Sequence, residues 1–420
     1  MNASESNRFL SYIGLGFISV CLIGSALWLF TFFGYTSNSS LNELGVYFDA
    51  ENYERIAREG YRDLYLHAFF PLFPLVLKAL SSTWLAVVFN AVVFIVSAAS
   101  LATVSKPSYP HFLLFFALPS SVFFLLPYSE AIFFAGSTLF LLSLRRKAVW
   151  MGAVGLLIAG LSRPAVSVFL PALLILFWLN PKGYSLKTLL IHASVVVTSF
   201  YGAWLIQDLW NGKWALFFQA QKEGWGNEFQ LPTFPFTTWG SDNMILWLDL
   251  LSLFIGSLSS AYLVYLGIKR IRRHALNIDT TFLFSMLYLA GISAVVLLFR
   301  GGELFSLNRF VFATPFMAWI LFSGMLRGIS LRRMNLFLIL LLLVFLSNGA
   351  YVHIKVLLGA ILFILIAAIS LNSLRSGEKF VVYAGLCAMV VAQVYFLLKL
   401  LRNEWIADLL LHCNEIVFAS

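Results

Sequence analysis

Long apolar runs alternate with short charged breaks along this chain. The first run covers residues 9–33 and exceeds the ~20 residues that an α-helix needs to cross a bilayer. The later runs are shorter or interrupted by proline and arginine, and they lie at 84–104, 112–126, 131–144, 149–161, 165–179, 188–209, 244–268, 281–299, 310–325, 336–351, 356–371 and 380–398. The pattern predicts an all-α polytopic membrane protein with about 11–13 transmembrane helices.

The predicted spans form one integral-membrane domain over residues 1–420, since no repeat or flexible linker divides them. Within it we expect a first loop at 34–83, core membrane helices at 84–320 with a second large loop at 210–242, and further transmembrane helices at 321–420. Lysine and arginine gather in the short loops on one side, which the positive-inside rule makes cytoplasmic. Most acidic residues fall on the other side, so both large polar loops are predicted to lie outside.

The first loop carries an island of charge in an otherwise apolar chain. Between Asp49 and Gly60, apolar residues recur at helical spacing on one side, while Glu51–Arg55 and Glu54–Arg58 form i,i+4 pairs on the other. This predicts a short amphipathic helix on the outer membrane surface. Asp49 at its start has two compatible interpretations, a helix N-cap and a carboxylate that accepts a proton from a substrate hydroxyl.

Several further polar residues lie at predicted outer membrane edges. Glu130 separates two apolar runs, where a charge costs a few kcal/mol unless paired, so we expect it to pair with an arginine. Arg163, Arg300 and Arg309 lie at the same side. Each alone is explained by ion pairing, but together they indicate an anionic lipid site, because the guanidinium fork matches a phosphate.

Composition changes this picture little, but it argues against several classes of protein. The chain is 60% hydrophobic and 11% charged, well below the ~25% charge of soluble domains, so its net charge of +9 reflects topology rather than nucleic-acid binding. Three scattered cysteines and six isolated histidines give no disulfide or metal-ligand spacing. No glycine-rich phosphate loop or zinc-protease motif is present, so we expect no cofactor and no metal, with any donor arriving from within the membrane.

Five stretches in order resemble the PIG-V family, the group of GPI mannosyltransferase 2 and its bacterial relatives. They are Phe48-Asp49-Ala50 with Ala68-Phe69-Phe70-Pro71, Pro119-Ser120-Ser121 with Pro127-Tyr128-Ser129-Glu130, Leu161-Ser162-Arg163-Pro164, Phe218-Gln219-Ala220-Gln221 with Trp225, and Leu307-Asn308-Arg309-Phe310. The resemblance covers roughly residues 45–320. Two departures are Phe48, where the family usually has tryptophan before the aspartate, and the sequence after Arg163.

The resemblance implies a GT-C glycosyltransferase fold and a mannosyltransferase-like activity in which a polyprenyl-phosphate sugar is the co-substrate. It implies direct inverting displacement onto a glycolipid, glycan or protein acceptor at an extracytoplasmic site, in a bacterial cytoplasmic membrane or, in a eukaryote, the endoplasmic reticulum. Asp49 would be the catalytic base, and Arg163 and Arg309 would bind the donor phosphate. Substrate-orienting roles would fall to Tyr128, Glu130, Gln221 and Trp225.

Two other functions stay open at this point. A flippase or transporter for a lipid-linked sugar should place ionisable groups near the bilayer midplane on broken helices, whereas here they gather at the outer edge. An inactive scaffold subunit of a glycosylation complex would keep the fold without the chemistry, and the presence of Asp49 argues against it.

Overall fold

The computed structural model describes residues 3–33, 48–238, 247–274, 276, 278–323, 390, 393 and 394. Over these residues the chain is helical and contains no β-strand beyond one isolated bridge between Thr237 and Glu303. The α-helices are α1 Ala3–Phe32, α2 Asp49–Glu59, α3 Leu72–Leu80, α4 Thr83–Ser105, α5 Tyr109–Phe116, α6 Glu130–Arg146, α7 Val149–Ser162, α8 Phe169–Leu179, α9 Leu186–Leu209, α10 Phe217–Gln219, α11 Trp247–Ile271, α12 Thr280–Phe299, α13 Leu307–Phe312 and α14 Pro315–Phe322. The remaining helical elements are the 3₁₀ segments η1 Leu64–Ala68, η2 Pro119–Leu125 and η3 Pro164–Val168, and a π-helix at Ala220–Gly224.

Five of the described helices are long and apolar enough to cross a membrane, and a bent pair of helices would make a sixth. They are Ser4–Ala26 within α1, Thr83–Ser105, Leu186–Leu209, Leu248–Ile271 within α11, and Thr280–Phe299. This is the organisation of a multi-pass integral membrane protein, as the sequence predicted. The predicted spans at 336–351, 356–371 and 380–398 lie outside the described residues apart from three positions of the last.

Two predicted spans are wrong as continuous helices. Residues 112–126 divide into α5 and η2, and η2 meets α6 at a bend of 101°. Pro119 causes the division, because a proline disfavours helical backbone at the residue before it, and Leu118 is extended there with ψ 132°. The predicted span at 310–325 is divided in the same way between α13 and α14, before Pro315.

Buried side-chain amides bond carbonyl groups at the first of these breaks. Asn90 of α4 donates to the carbonyl oxygens of Leu126 (2.6 Å) and Tyr128 (2.8 Å). Gln393 donates to the carbonyl of Phe116 at 2.9 Å. Because a buried, unbonded carbonyl is costly, these amides stabilise the irregular segment that precedes α6.

The first loop folds as expected for an amphipathic helix, with two corrections. Tyr53 and Ile56 of α2 are buried. The N-cap residue is Phe48 and not Asp49, which is the first helical residue. The predicted Glu51–Arg55 pair is also wrong, because Arg55 instead pairs with Asp63 at 2.5 Å.

Candidate functional site

Two adjacent helices bring Glu130 and Arg163 together. Glu130 begins α6 and Arg163 follows α7, and these helices run antiparallel in close contact. The contact is tight at Gly136, where a Cβ atom would lie 2.7 Å from the backbone nitrogen of Ala159. Arg163 is extended before Pro164 (φ −152°, ψ 141°), and its Nη1 lies 2.6 Å from Glu130 Oε1. The glycine contact and the proline therefore set this ion pair.

Arg309 of α13 reaches the same carboxylate from a distant part of the sequence. Its Nε donates to Glu130 Oε1 at 2.8 Å, and its Nη2 bonds the same oxygen. Glu130 is fully buried, so its charge is tolerated only because two guanidinium groups compensate it. This confirms the expectation that Glu130 pairs with arginine.

Asp49 completes a network of four charged residues, which we call the ionic network: Asp49, Glu130, Arg163 and Arg309. Arg309 Nη2 lies 2.8 Å from Asp49 Oδ2. The Asp49 side chain is 25% exposed, whereas those of the other three members are 10% exposed or less. Asp49 is therefore the member of the network that a second molecule can reach.

Helix α2 is fixed in place by contacts of Tyr53, one turn after Asp49. The hydroxyl groups of Tyr53 and Ser129 lie 2.7 Å apart, so α2 is bonded to the residue before Glu130. The Tyr53 ring packs edge-on against Phe69 and Phe73. The preceding Phe48 has φ 54°, a region that bulky residues rarely adopt and that is often found beside functional residues.

Aromatic rings line the ionic network and exclude water from its buried side. The guanidinium of Arg309 lies over the rings of Phe123 (4.7 Å) and Tyr128 (5.0 Å), and that of Arg163 lies over Phe310 (4.9 Å). Tyr128, for which the resemblance implied a substrate-orienting role, is buried beneath Arg309. The structure therefore shows it supporting Arg309.

The ionic network is electrically balanced, with two carboxylates and two guanidinium groups. Burial disfavours the charge on Arg309, but the Glu130 and Asp49 carboxylates outweigh burial and raise the pKa of Arg309 above its ordinary value. Both arginines that the resemblance assigned to the donor phosphate thus already have carboxylate partners. Their role in phosphate binding stays a prediction.

A second buried carboxylate, Asp249 of α11, orients Arg309 and was missed from the sequence. Its Oδ1 accepts hydrogen bonds from the backbone N–H (2.8 Å) and the side-chain Nδ2 (2.7 Å) of Asn308. Its Oδ2 accepts from Thr238 at 3.1 Å. These bonds fix the start of α13 and hence the position of Arg309. A single aspartate within a long apolar run was the signal that could have identified it.

Of the remaining predicted residues, Gln221 lies in the π-helix, which packs on η1, and Trp225 directly follows it. The indole Nε1 of Trp225 donates to the carbonyl of Tyr65 at 3.0 Å, and its side chain is 42% exposed. Gln221 bonds Asn227, which in turn accepts a bond from Arg300. π-Helices often occur at functional sites, and this one joins the second loop to Arg300.

Within the described part of the chain, no group of three histidine, cysteine, aspartate or glutamate side chains could hold a metal ion. The chemistry available is that of one accessible carboxylate beside several guanidinium groups. Such a site can accept a proton from a hydroxyl group and stabilise a neighbouring anion. Comparison of the chain with protein-family models, curated protein sequences and solved structures finds no match.

Proposed function

We propose that the protein is a GT-C type glycosyltransferase that moves a sugar, mannose or a relative, from a polyprenyl-phosphate donor to an extracytoplasmic acceptor. The observation that carries this proposal is the ionic network. Its first and last members, Asp49 and Arg309, are 260 positions apart in the chain. The four side chains nevertheless meet around one accessible carboxylate. They are also residues through which the sequence resembles the PIG-V family.

The proposed reaction is a single inverting displacement. The acceptor hydroxyl oxygen forms a bond to the anomeric carbon of the donor sugar, and the bond from that carbon to the phosphate oxygen breaks. Asp49 accepts the hydroxyl proton, and the polyprenyl phosphate leaves with the bonding electrons. Arg309 positions Asp49 through their ion pair, while Glu130, which is itself paired with Arg163, holds Arg309 from the buried side.

The test replaces Asp49 with asparagine in the purified full-length protein. This variant keeps the shape of the side chain but removes the proton acceptor, and loss of a general base lowers rates by ~10²–10⁴-fold. We expect kcat for transfer from a polyprenyl-phosphate mannose to fall by at least about 100-fold with a smaller change in KM. Glu51→Gln is the matched control on the same helix and should retain activity. Equal transfer by wild type and Asp49→Asn would refute the proposed role of Asp49.

One observation favours transport of a lipid-linked sugar as a second candidate. The break between η2 and α6, with its 101° bend, places Glu130 at the start of a discontinuous helix, an arrangement that transporters use for their binding sites. Proteoliposomes separate the two functions. A transporter would move the intact donor across the bilayer without product, whereas the transferase forms a glycosylated acceptor on one side.

A further inference from the structure

Arg300, directly after α12, is held in a fixed orientation by neutral groups. Its Nε donates to Asn227 Oδ1 at 3.1 Å, and its Nη1 bonds the carbonyl of Phe305. Asn227 is itself fixed, because its backbone N–H donates to the Gln221 carbonyl at 2.8 Å and its Nδ2 donates to Gln221 Oε1 at 2.8 Å. The guanidinium is thus oriented before any ligand arrives.

Arg300 also differs from Arg163 and Arg309 in its charge balance. Over the residues that the structure describes, no carboxylate forms an ion pair with it. Burial lowers the pKa of Arg300, and the more distant carboxylates of Asp249, Glu303 and Asp49 only partly oppose this. A half-buried guanidinium without a direct counter-ion favours binding of an anion.

The surface beside Arg300 is apolar and exposed. The second loop runs along the end of α12, where Gln230 N–H donates to the Leu298 carbonyl at 2.8 Å. This places Phe229 beside Phe299, with ring centroids 6.0 Å apart. Phe229 is 66% exposed, Leu231 is 78% exposed and Phe299 is 42% exposed. A ligand held by Arg300 would therefore meet a hydrocarbon-binding surface.

We propose that Arg300, together with the apolar surface of Phe229, Leu231 and Phe299, binds a polyprenyl phosphate. The guanidinium donates to the phosphate, and the prenyl chain packs on the three apolar side chains. This inference rests on the proposed function, because it places the leaving group of that reaction at Arg300 rather than at the paired Arg163 and Arg309.

The experiment measures binding of undecaprenyl phosphate to the purified full-length protein in nanodiscs by native mass spectrometry. Arg300→Gln should weaken binding by about tenfold or more, since a charge-assisted hydrogen bond is lost. Arg62→Gln is the matched control, because Arg62 is exposed in the first loop. Undecaprenol, inorganic phosphate and phosphatidylglycerol are tested as competitors. Only undecaprenyl phosphate combines the monoester phosphate with the prenyl chain, so it should bind at least about tenfold more tightly than each of them.

Asn227→Asp provides a second variant that leaves Arg300 in place. It keeps an acceptor for Arg300 Nε but adds a negative charge, which would pair Arg300 and weaken binding of undecaprenyl phosphate about tenfold. Asn227→Ser keeps the neutral charge and should weaken it less. If Arg300→Gln does not fold, the affinities for undecaprenyl phosphate test the inference instead. They should decrease in the order wild type, Asn227→Ser, Asn227→Asp.

Three results would overturn the inference: unchanged affinity in Arg300→Gln, equal affinities of Asn227→Ser and Asn227→Asp, or a phosphate or phosphatidylglycerol affinity equal to that of undecaprenyl phosphate. The proposed function fails separately. If no donor supports sugar transfer but binding still depends on Arg300, the lipid-phosphate site stands and the transferase does not. If transfer occurs with an unchanged donor KM in Arg300→Gln, the transferase stands and the site at Arg300 does not.

Discussion

Helix α2 carries charges in two different surroundings. At its start, Asp49 joins a network whose partner Arg309 is 10% exposed. One and a half turns later, Glu54 pairs with Arg58, whose side chain is 71% exposed. Both are carboxylate–guanidinium pairs with the carboxylate on α2, but the partner of Asp49 comes from α13, whereas the partner of Glu54 lies one turn further along α2 itself. The comparison shows that a charge pattern visible in sequence locates helices, whereas tertiary packing selects which charges are enclosed.

The largest effect on stability should follow from a substitution in the buried ionic network, at Glu130. Replacing Glu130 with glutamine leaves Arg163 and Arg309 without their shared, fully buried counter-ion. Removing one partner of a buried ion pair typically costs ~3–5 kcal/mol, and we expect a loss of that size in the free energy of unfolding. Denaturant titration of the purified protein, followed by tryptophan fluorescence, measures it.

The matched control is Glu54→Gln, the same substitution in the exposed pair of α2. The double variant Glu130→Gln/Arg163→Gln should be less destabilised than the sum of its single variants, because it leaves the Asp49–Arg309 pair balanced. A loss below about 1 kcal/mol in Glu130→Gln would show that the network does not contribute to stability in the way its burial indicates.

A smaller effect is expected from His67, which joins the first loop to the second. Its Nε2 accepts from the backbone N–H of Lys213 at 3.1 Å, and its Nδ1 donates to the carbonyls of Asp63 and Leu64. Burial lowers the pKa of His67 below its ordinary value of 6.5, so the folded state holds the neutral imidazole. Protonation would place an N–H opposite the N–H of Lys213 and break that bond.

Because the folded pKa is the lower one, the stability from neutral His67 is fully present above pH 6.5 and is lost as the pH falls through the lowered value. The loss amounts to ~1.4 kcal/mol for each unit of pKa depression. Thermal unfolding between pH 5 and pH 8 measures it, with His67→Asn as the variant that should flatten this part of the profile. The same slope in wild type and variant would assign the pH dependence to other groups.

Much of the helical framework was predictable because long apolar runs have few alternatives. The predicted spans 84–104, 188–209 and 281–299 agree with α4, α9 and α12 to within about two residues. The predicted span 112–126 was wrong because the prediction followed the apolar content of the run and neglected the effect of Pro119 on the backbone. Bonds from Asn90 and Gln393, which are distant in sequence, make that break possible, and no local pattern indicates them.

The sequence predicted which residues belong to the candidate site better than it predicted how they are arranged. Charged residues at apolar edges identified Asp49, Glu130, Arg163 and Arg309, because isolated charges in a membrane protein need a reason. Their mutual pairing depends on the α6–α7 contact and on the folding of α13, so the sequence could not show that two of the arginines are already neutralised. Asp249 and Asn227 were missed since they act on other side chains through hydrogen bonds.

The smallest effect on stability should come from the exposed ion pair of α2, Glu54–Arg58. Exposed i,i+4 pairs contribute about 0.3–0.5 kcal/mol, since water screens the charges and ordering two long side chains costs entropy. A double-mutant cycle with Glu54→Gln and Arg58→Gln should therefore give a coupling free energy of that size, and the coupling should decline between 0.05 M and 0.5 M NaCl. A parallel cycle with Asp49→Asn and Arg309→Gln should give a larger coupling that changes little with salt, because screening weakens when charges are enclosed. Equal couplings with equal salt dependence would mean that water reaches the Asp49–Arg309 pair as freely as it reaches α2's outer face. In that case the buried Arg309 would not distinguish the Asp49 pair from the Glu54 pair, whose arginine is exposed.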